Sequence, residues 1–305
     1  MDALAPLVAS AIVAGTPLML ASLGLLVNER SGVINLGSEG IMLVAAITGF
    51  AVTVDTGMPA VGFVAAAGSG MLMAALFAWL TVWLGANQVA TGLALSLFGT
   101  GASAYIGMPY VAETLKSTRY AVPWLSELPF FGQALFRHHP VVYGAVILCL
   151  AIAWFLTRTR GGLVLRAVGE SPSSAHSLGH DVRRIRLLAL LFGGACCGLA
   201  GAFLSLVYTP MWAEGMVAGR GWIALALTTF ATWRPLRVML GAYLFGGITI
   251  LAYHMQALGV PVASQWLSML PYLATILVLV LISRNASWIR LNMPASLGRH
   301  FNPNT

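Results

Sequence analysis

Three stretches place polar or conformationally special residues between long apolar runs. The first is Asn28-Glu-Arg-Ser-Gly-Val-Ile-Asn-Leu-Gly-Ser-Glu-Gly40. Its glycines at 32, 37 and 40 permit tight backbone geometry. Asn35 and Glu39 lie four apart and share a face if the stretch is helical. Irregular backbone of this kind is tolerated at membrane depth only where it is buried in protein or lines a water-filled cavity; the plainer reading is an ordinary cytoplasmic turn. The second stretch runs from Arg158 to Gly179. Ser171 before Pro172 reads as an N-cap with proline at the first helical position. The expected product is a short helix over Pro172–Leu178, closed by Gly179, with Ala175 and Leu178 on one face. Such a helix can plug into a groove of a soluble partner or merely join its neighbours. The third stretch, Met211 to Arg237, carries Glu214 and Arg220, the latter between Gly219 and Gly221. Arg220 could line an outer vestibule or be a solvated loop charge.

No chemistry of bond making is visible around these stretches. There is no G-x-x-x-x-G-K-[ST] phosphate loop, no G-x-S-x-G and no H-E-x-x-H. Cys149, Cys196 and Cys197 lie inside apolar runs without Cys-x-x-Cys spacing, so they read as small core residues, with neither disulfide nor metal. The chain is therefore not expected to be an enzyme or to hold a cofactor. None of its nine acidic residues lies deep in an apolar run. Carriers coupled to ions usually keep carboxylates at that depth, so any driving energy should enter from outside the chain. An ion-coupled secondary transporter remains the alternative. It would need matching broken helices from an internal repeat, and the interruptions near Gly32–Gly40 and Gly215–Gly221 show no convincing match.

The elements that must position these residues are membrane helices. Of 305 residues, 59% are apolar and 8% charged, and mean hydropathy is +0.86. A soluble domain carries about 25% charged residues, and a disordered chain is poor in apolar ones. Solid apolar runs, rather than short alternating ones, also exclude an outer-membrane barrel. The predicted fold is an all-α, polytopic bundle forming one transmembrane domain over 1–305. Eight long spans are expected near Ala5–Val27, Asn35–Val54, Pro59–Leu84, Gln88–Gly107, Val141–Thr157, Leu187–Tyr208, Val238–Met255 and Gln265–Ser283. The first is read as a retained helix, since no positive segment precedes it. A ninth run, Trp222–Trp233, is short for a straight crossing and suits a half-helix or re-entrant segment.

Charge placement orients the bundle. The net charge is +7, and every basic residue except Lys116 is an arginine. Arginines at the ends of apolar runs signal the positive-inside rule rather than nucleic-acid binding. They mark the loop 158–186 and the tail 284–305, with Arg284, Arg290 and Arg299, as cytoplasmic. Arg30, Arg234 and Arg237 also fall inside if the short run crosses, giving about nine spans with the N-terminus outside and the C-terminus inside. The loop 108–140, with Glu113, Lys116, Arg119, Glu127, Arg137, His138 and His139, is then the longest external segment and the natural face for an external partner. Small residues at Gly62, Ala66 and Gly70, and at Gly194, Gly198 and Ala202, mark faces of close helix approach, within the bundle or between subunits. Trp79, Trp83, Trp154, Trp233, Trp266 and Trp288 fit an interfacial aromatic belt, and His254 a span end.

The string from Val27 to Leu43 resembles the early signature of permeases from ATP-binding-cassette importers for nucleosides and simple sugars. This group belongs with the branched-chain amino acid and ribose permeases and is fed by basic-membrane-protein-type binding lipoproteins. The block Arg158-Thr-Arg-Gly-Gly-Leu through Arg166-Ala-Val-Gly-Glu-Ser-Pro to Leu178-Gly179 resembles the coupling loop of the same permeases. Asn87-Gln-Val-Ala-Thr-Gly-Leu-Ala-Leu95 and Gly219-Arg-Gly-Trp-Ile-Ala-Leu-Ala226 match further blocks, so the likeness covers about 5–283. His176 and Ser177 depart from the family pattern, which leaves the identity of the ATPase partner open.

The resemblance implies a permease subunit in a bacterial or archaeal inner membrane. Its partners would be a cytoplasmic ATPase, a second permease (a paralogue in a heterodimer) and an external substrate-binding lipoprotein. Coupling to the ATPase would fall to Arg166, Gly169, Glu170, Pro172, Ala175 and Gly179. The translocation pathway would include Asn35, Glu39, Asn87, Gln88 and Thr91, and the amides of the Asn and Gln residues can bond ribose hydroxyls or base edges.

Overall fold

The computed structural model describes residues 4–116, 120, 126, 131–259, 263–283 and 292–301. Among them, regular structure is helical, apart from one isolated bridge between Thr114 and Met211. The helices are α1 (Leu4–Arg30), α2 (Ser38–Thr56), α3 (Pro59–Ala78), α4 (Gln88–Gly107), α5 (Phe131–Leu135), α6 (Pro140–Arg158), α7 (Arg160–Glu170), α8 (Pro172–Ser177), α9 (Val182–Phe203), α10 (Arg220–Phe230), α11 (Pro235–Ala257) and α12 (Ser264–Ser283). Short π-helical turns extend α3 to Trp83 and α9 to Tyr208. Seven of these stretches are long and apolar enough to cross a membrane: Leu4–Arg30, Ser38–Thr56, Pro59–Trp83, Gln88–Tyr110, Pro140–Arg158, Val182–Tyr208 and Pro235–Ala257. The eighth predicted run coincides with α12. Arg119, Glu127, Arg284, Trp288 and Arg290 lie outside the described residues.

α1 is the pillar. Every residue from Ala14 to Glu29 is buried, as expected of a helix apolar on all sides. α9, α10 and α11 pack around it, and α2 fills the space beside α9. The two predicted small-residue stripes face each other within the chain. A Cβ on Gly70 would run into the Gly194 carbonyl oxygen, and one on Gly198 into the Ala66 carbonyl oxygen. α3 and α9 thus approach backbone to backbone, which in lipid replaces the missing hydrophobic drive with close contact. All three cysteines are buried.

Four expectations require correction. α2 starts at Ser38 rather than near Asn35. Asn35 accepts the Gly37 N–H at 2.9 Å through its side chain, an Asx turn that competes with helix, so Asn35 and Glu39 do not share a helix face. The short ninth run is the 11-residue α10, beginning at Arg220 and ending at Phe230. Trp233 is not in an aromatic belt: it is 1% exposed and donates its indole N–H to Glu29. Ala175 is buried while Leu178 is 78% exposed. Helix α8 stops at Ser177, so Leu178 leaves the helical register and turns outward.

Candidate functional site

Two breaks in the helical pattern carry the predicted residues. The first joins α1 to α2. After Arg30 the chain turns at Gly32, whose φ of 90° suits glycine. It then runs without helix to Gly37. At the start of this segment the Ile34 N–H donates to Gln88 Oε1 at 2.9 Å, at the first residue of α4. At its end, Ser96 Oγ donates to the Leu36 carbonyl at 2.9 Å. Gly40 lies against Ser96 and Gly99, near the middle of α4. The segment therefore climbs from one end of α4 to its centre before α2 begins. Its backbone groups, which lack helical partners, are met by side chains from α4.

Helix α10 meets the same junction. At 11 residues it is about 16 Å long, roughly half the hydrocarbon thickness. Gly219 at its N-cap has no side chain to satisfy the first amides. Glu39 supplies the cap from another helix: its carboxylate accepts the Gly219 N–H at 2.8 Å and the Gly221 N–H at 2.7 Å. A carboxylate is the favoured group at a helix N-terminus. Ser38 Oγ adds a bond to the Gly221 carbonyl at 3.1 Å. The far end of α10 reaches the end of α1, where Arg30 Nη2 donates to the Trp233 carbonyl at 2.9 Å. Between Tyr208 and Arg220 the chain has no regular helix. A broken element thus leads from the end of α9 to the end of α1.

The second break is a platform built on caps. Thr159 Oγ1 caps α7 by accepting the Gly162 N–H at 3.0 Å. Ser171 Oγ caps α8 by accepting the Ser174 N–H at 3.3 Å, with Pro172 at the first position. Asp181 Oδ1 caps α9 by accepting the Arg184 N–H at 3.1 Å. Gly179 closes α8 with φ of 87°, and the His180 N–H returns to the Ala175 carbonyl at 3.1 Å. Ala175 is the inward anchor of α8, in a small apolar cluster with Val168, Val182 and Phe301. Ser173, Ser174, His176, Ser177 and Leu178 remain exposed.

The tail 292–301 straps this platform to the first break. Ser296 Oγ donates to the Gly169 carbonyl at 2.6 Å, and Glu170 Oε2 accepts the Ala295 N–H at 3.3 Å. The Gly298 N–H donates to the Gly32 carbonyl at 3.0 Å. Arg186, 2% exposed, sits at the centre: its Nε donates to the Ser31 carbonyl and its Nη1 to the Arg299 carbonyl, each at 3.2 Å. Gly169 has no room for a Cβ, because the Arg30 carbonyl occupies that position. The ring of His176 rests 5.5 Å from that of Phe301, so the exposed histidine has a partner in the tail.

The predicted residues thus separate into two groups. Glu39 sits at the α2–α10 junction near the middle of α4, whereas Asn35 and Gln88 belong to the segment that climbs to it, with Gln88 at the end of α4. Thr91 lies half-buried one turn along α4, and Asn87 is an exposed N-cap accepting the Val89 and Ala90 N–H groups. Arg166, Gly169, Glu170, Pro172, Ala175 and Gly179 all belong to the platform; Arg166 is half-buried, and its Nε has no hydrogen-bond partner among the described residues. Sequence reasoning missed Arg186, the tail and the Glu29–Trp233 bond. Arg186 is one of six arginines in a single loop, and nothing in its spacing distinguishes it from Arg183 or Arg184. No cluster of His, Cys, Asp or Glu that could hold a metal occurs among the described residues.

Comparison with known proteins bears directly on this arrangement. The family model described as "Branched-chain amino acid transport system / permease component" matches residues 7–281. A putative glucose ABC transporter permease protein of Haloferax volcanii is 40% identical, with 98% of each chain covered. A nucleoside ABC transporter permease protein of Lactococcus lactis subsp. cremoris is 32% identical, over 90% of this chain and 91% of its own. A guanosine ABC transporter permease protein of Bacillus subtilis is 29% identical, over 90% of each. No solved structure is significantly similar to the chain.

Proposed function

This chain belongs to the family of branched-chain amino acid transport system permease components, and from that premise we propose how its two breaks serve transport. It is a multi-pass permease subunit of an ATP-binding-cassette importer for nucleosides or sugars, without an ATPase site of its own. The reading at the level of residues rests on one observation above all. The exposed helix α8 stands on a platform that is hydrogen-bonded, through Arg186 and the tail, to the turn from which the chain climbs to the α2–α10 junction.

In this reading α8 seats in a groove of the cytoplasmic ATPase. Ser171, Pro172 and Gly179 fix its shape, Ala175 anchors it, Gly169 and Glu170 hold α7 to α1 and the tail, and Arg166 is left to meet the ATPase. Closure of the ATPase dimer on ATP moves α8, and the strap carries that movement to residues 31–37. Gln88 and Asn35 hold this segment, and Thr91 and Asn87 border it, so a shift here changes access along the pathway. Glu39 acts by holding α10 rather than by meeting the solute directly.

The broken element 209–230 supplies the ninth crossing. With it, Arg30, Arg234 and the 158–186 loop all fall on the cytoplasmic side, the N-terminus lies outside and the C-terminus inside. A paralogous second permease completes the pathway, and an external binding lipoprotein delivers the solute at the 108–140 loop. The setting is the inner membrane of a bacterium or archaeon.

The test is purification from the native membrane in mild detergent. The expected result is co-purification of a phosphate-loop ATPase, lost when Pro172–Leu178 is deleted. Solute uptake by the chain alone, driven by an ion gradient in vesicles, would overturn the reading.

A further inference from the structure

A small cavity lies where the broken element gives way to α10. It has a volume of about 200 Å³ and lies between α1, α10, α11 and α12. Its polar wall is Arg220, Tyr208, Thr249, Tyr253 and Tyr272, and Phe245 forms part of the apolar wall. An ionisable side chain among membrane helices, here Arg220, is rare and marks a solute or ion path by default. Backbone without helix, as in 209–219, is tolerated at such depth only if buried in protein or lining a water-filled cavity. Both conditions point to the same place.

The geometry of Arg220 removes it from the class of solvated loop charges. Its guanidinium stands over the Tyr208 ring, 5.4 Å from the centroid. Its Nη1 donates to the Met216 and Val217 carbonyls at 3.2 and 3.1 Å, which fixes the group against its own turn. A cation over an aromatic face is stronger when water is scarce. The Thr249 hydroxyl donates to the Phe245 carbonyl at 2.9 Å and keeps its oxygen as an acceptor toward the cavity.

Charge decides the class of ligand. An arginine at a helix N-terminus would ordinarily favour an anion, such as the carboxylate of an amino acid. Here the amides on either side of Arg220, those of Gly219 and Gly221, are already taken by the Glu39 carboxylate. The acid caps the helix end and lies within electrostatic reach of the guanidinium, offsetting part of its charge. What remains is a cavity with aromatic faces and hydroxyl groups but little uncompensated positive charge. That combination suits a neutral ring solute carrying several hydroxyls.

We propose that this cavity is a transient binding site for the neutral ring of the solute, a nucleoside or monosaccharide, and that Glu39 tunes it against carboxylate-bearing solutes. The inference rests on the importer reading above and adds the place and the selectivity of one step.

Thiol accessibility tests it in the assembled importer. Cys149, Cys196 and Cys197 are each at most 2% exposed, so background labelling of this chain is low. Thr249→Cys should react with a hydrophilic thiosulfonate reagent. Millimolar uridine or glucose should slow that reaction severalfold, and leucine should not. A Thr249→Trp variant, which fills the cavity, should retain the ATPase and lose at least tenfold in uptake. An unreactive Thr249→Cys, labelling indifferent to both uridine and glucose, or equal protection by leucine would each overturn the proposal. Failure of the importer reading would show separately, as absence of the ATPase from the purified wild-type complex.

Discussion

The α2–α10 junction and the α8 platform are both interruptions of a helical bundle, both rich in glycine and both flanked by apolar helices. Their helix ends are capped in opposite ways, although the tail also straps the α8 platform from far along the chain. At the junction the bonds come from far along the chain: Gln88 to Ile34, Ser96 to Leu36, Glu39 to Gly219 and Gly221. At α8 the caps are local: Ser171 to Ser174, Gly179 to His176, Asp181 to Arg184. The difference follows from solvent. Water meets an unpaired backbone group at the membrane surface, so a local cap suffices and one face can stay open for a partner. Inside the bilayer no water is at hand, and each broken turn needs a side chain aimed at it.

The most severe test of that contrast is Glu39→Ala. It removes two charge-assisted bonds and leaves the Gly219 and Gly221 amides unmet at depth. Bonds of this kind contribute about 1.5–3 kcal/mol each, so a loss of roughly 3 kcal/mol or more is expected. Thermal unfolding in detergent should show a large drop in Tm, with Glu39→Gln between the two because one acceptor oxygen remains. An unchanged Tm for Glu39→Ala would break the comparison at its root.

Gly169→Ala follows in size. The new methyl group meets the Arg30 carbonyl, which belongs to the buried end of α1 and cannot simply swing aside. Overpacking of this sort costs typically 1–3 kcal/mol. The shift should also loosen the strap, since Ser296 bonds to the Gly169 carbonyl. Limited proteolysis should therefore cut within 292–301 sooner than in the wild type.

The two regions differ in what the sequence makes legible. Gly179 and Ser171 are readable because their partners lie within a few positions, and local cap chemistry has a local signature. The helical class and the apolar runs are readable for the same reason. Glu39 was visible as an acid near a span, but its role was not, since its partners lie about 180 positions away. Arg186 bonds to residues 155 and 113 positions distant and looks like its neighbours in the loop. Trp233 fits the pattern of an interfacial tryptophan until Glu29 is placed beside it. Long-range pairing leaves no spacing rule, and both the junction and the strap depend on it.

Gly179→Val probes the local side of the contrast. The site is open, with nothing within 4 Å of an added Cβ, so the cost is backbone strain at a φ of 87°. A side chain in the left-handed region costs roughly 1–2 kcal/mol, and more of it falls on α8 than on the bundle. The Tm of the chain should shift little, while solute moved per ATP hydrolysed should fall. Gly179→Asn, which tolerates this conformation better, should recover most of the coupling.

The smallest effect on stability is expected at Leu178, and it separates the two regions most cleanly. Its side chain is 78% exposed and makes no contribution to the clusters that hold the platform. Leu178→Asp should therefore change the stability of the isolated chain by no more than about 0.5 kcal/mol, as for an ordinary surface substitution. If α8 is the element that enters the ATPase, the same change places a carboxylate in a groove that has to exclude water, and co-purification of the ATPase should be lost. A residue that the fold does not need but the complex does is what an open, locally capped helix predicts. At the membrane-depth junction no such residue is expected, because every polar group that holds the break also holds the fold. Retention of the ATPase by Leu178→Asp, measured beside an unchanged Tm, would mean that the exposed face of α8 is only a turn, and that the docking surface lies elsewhere on the platform.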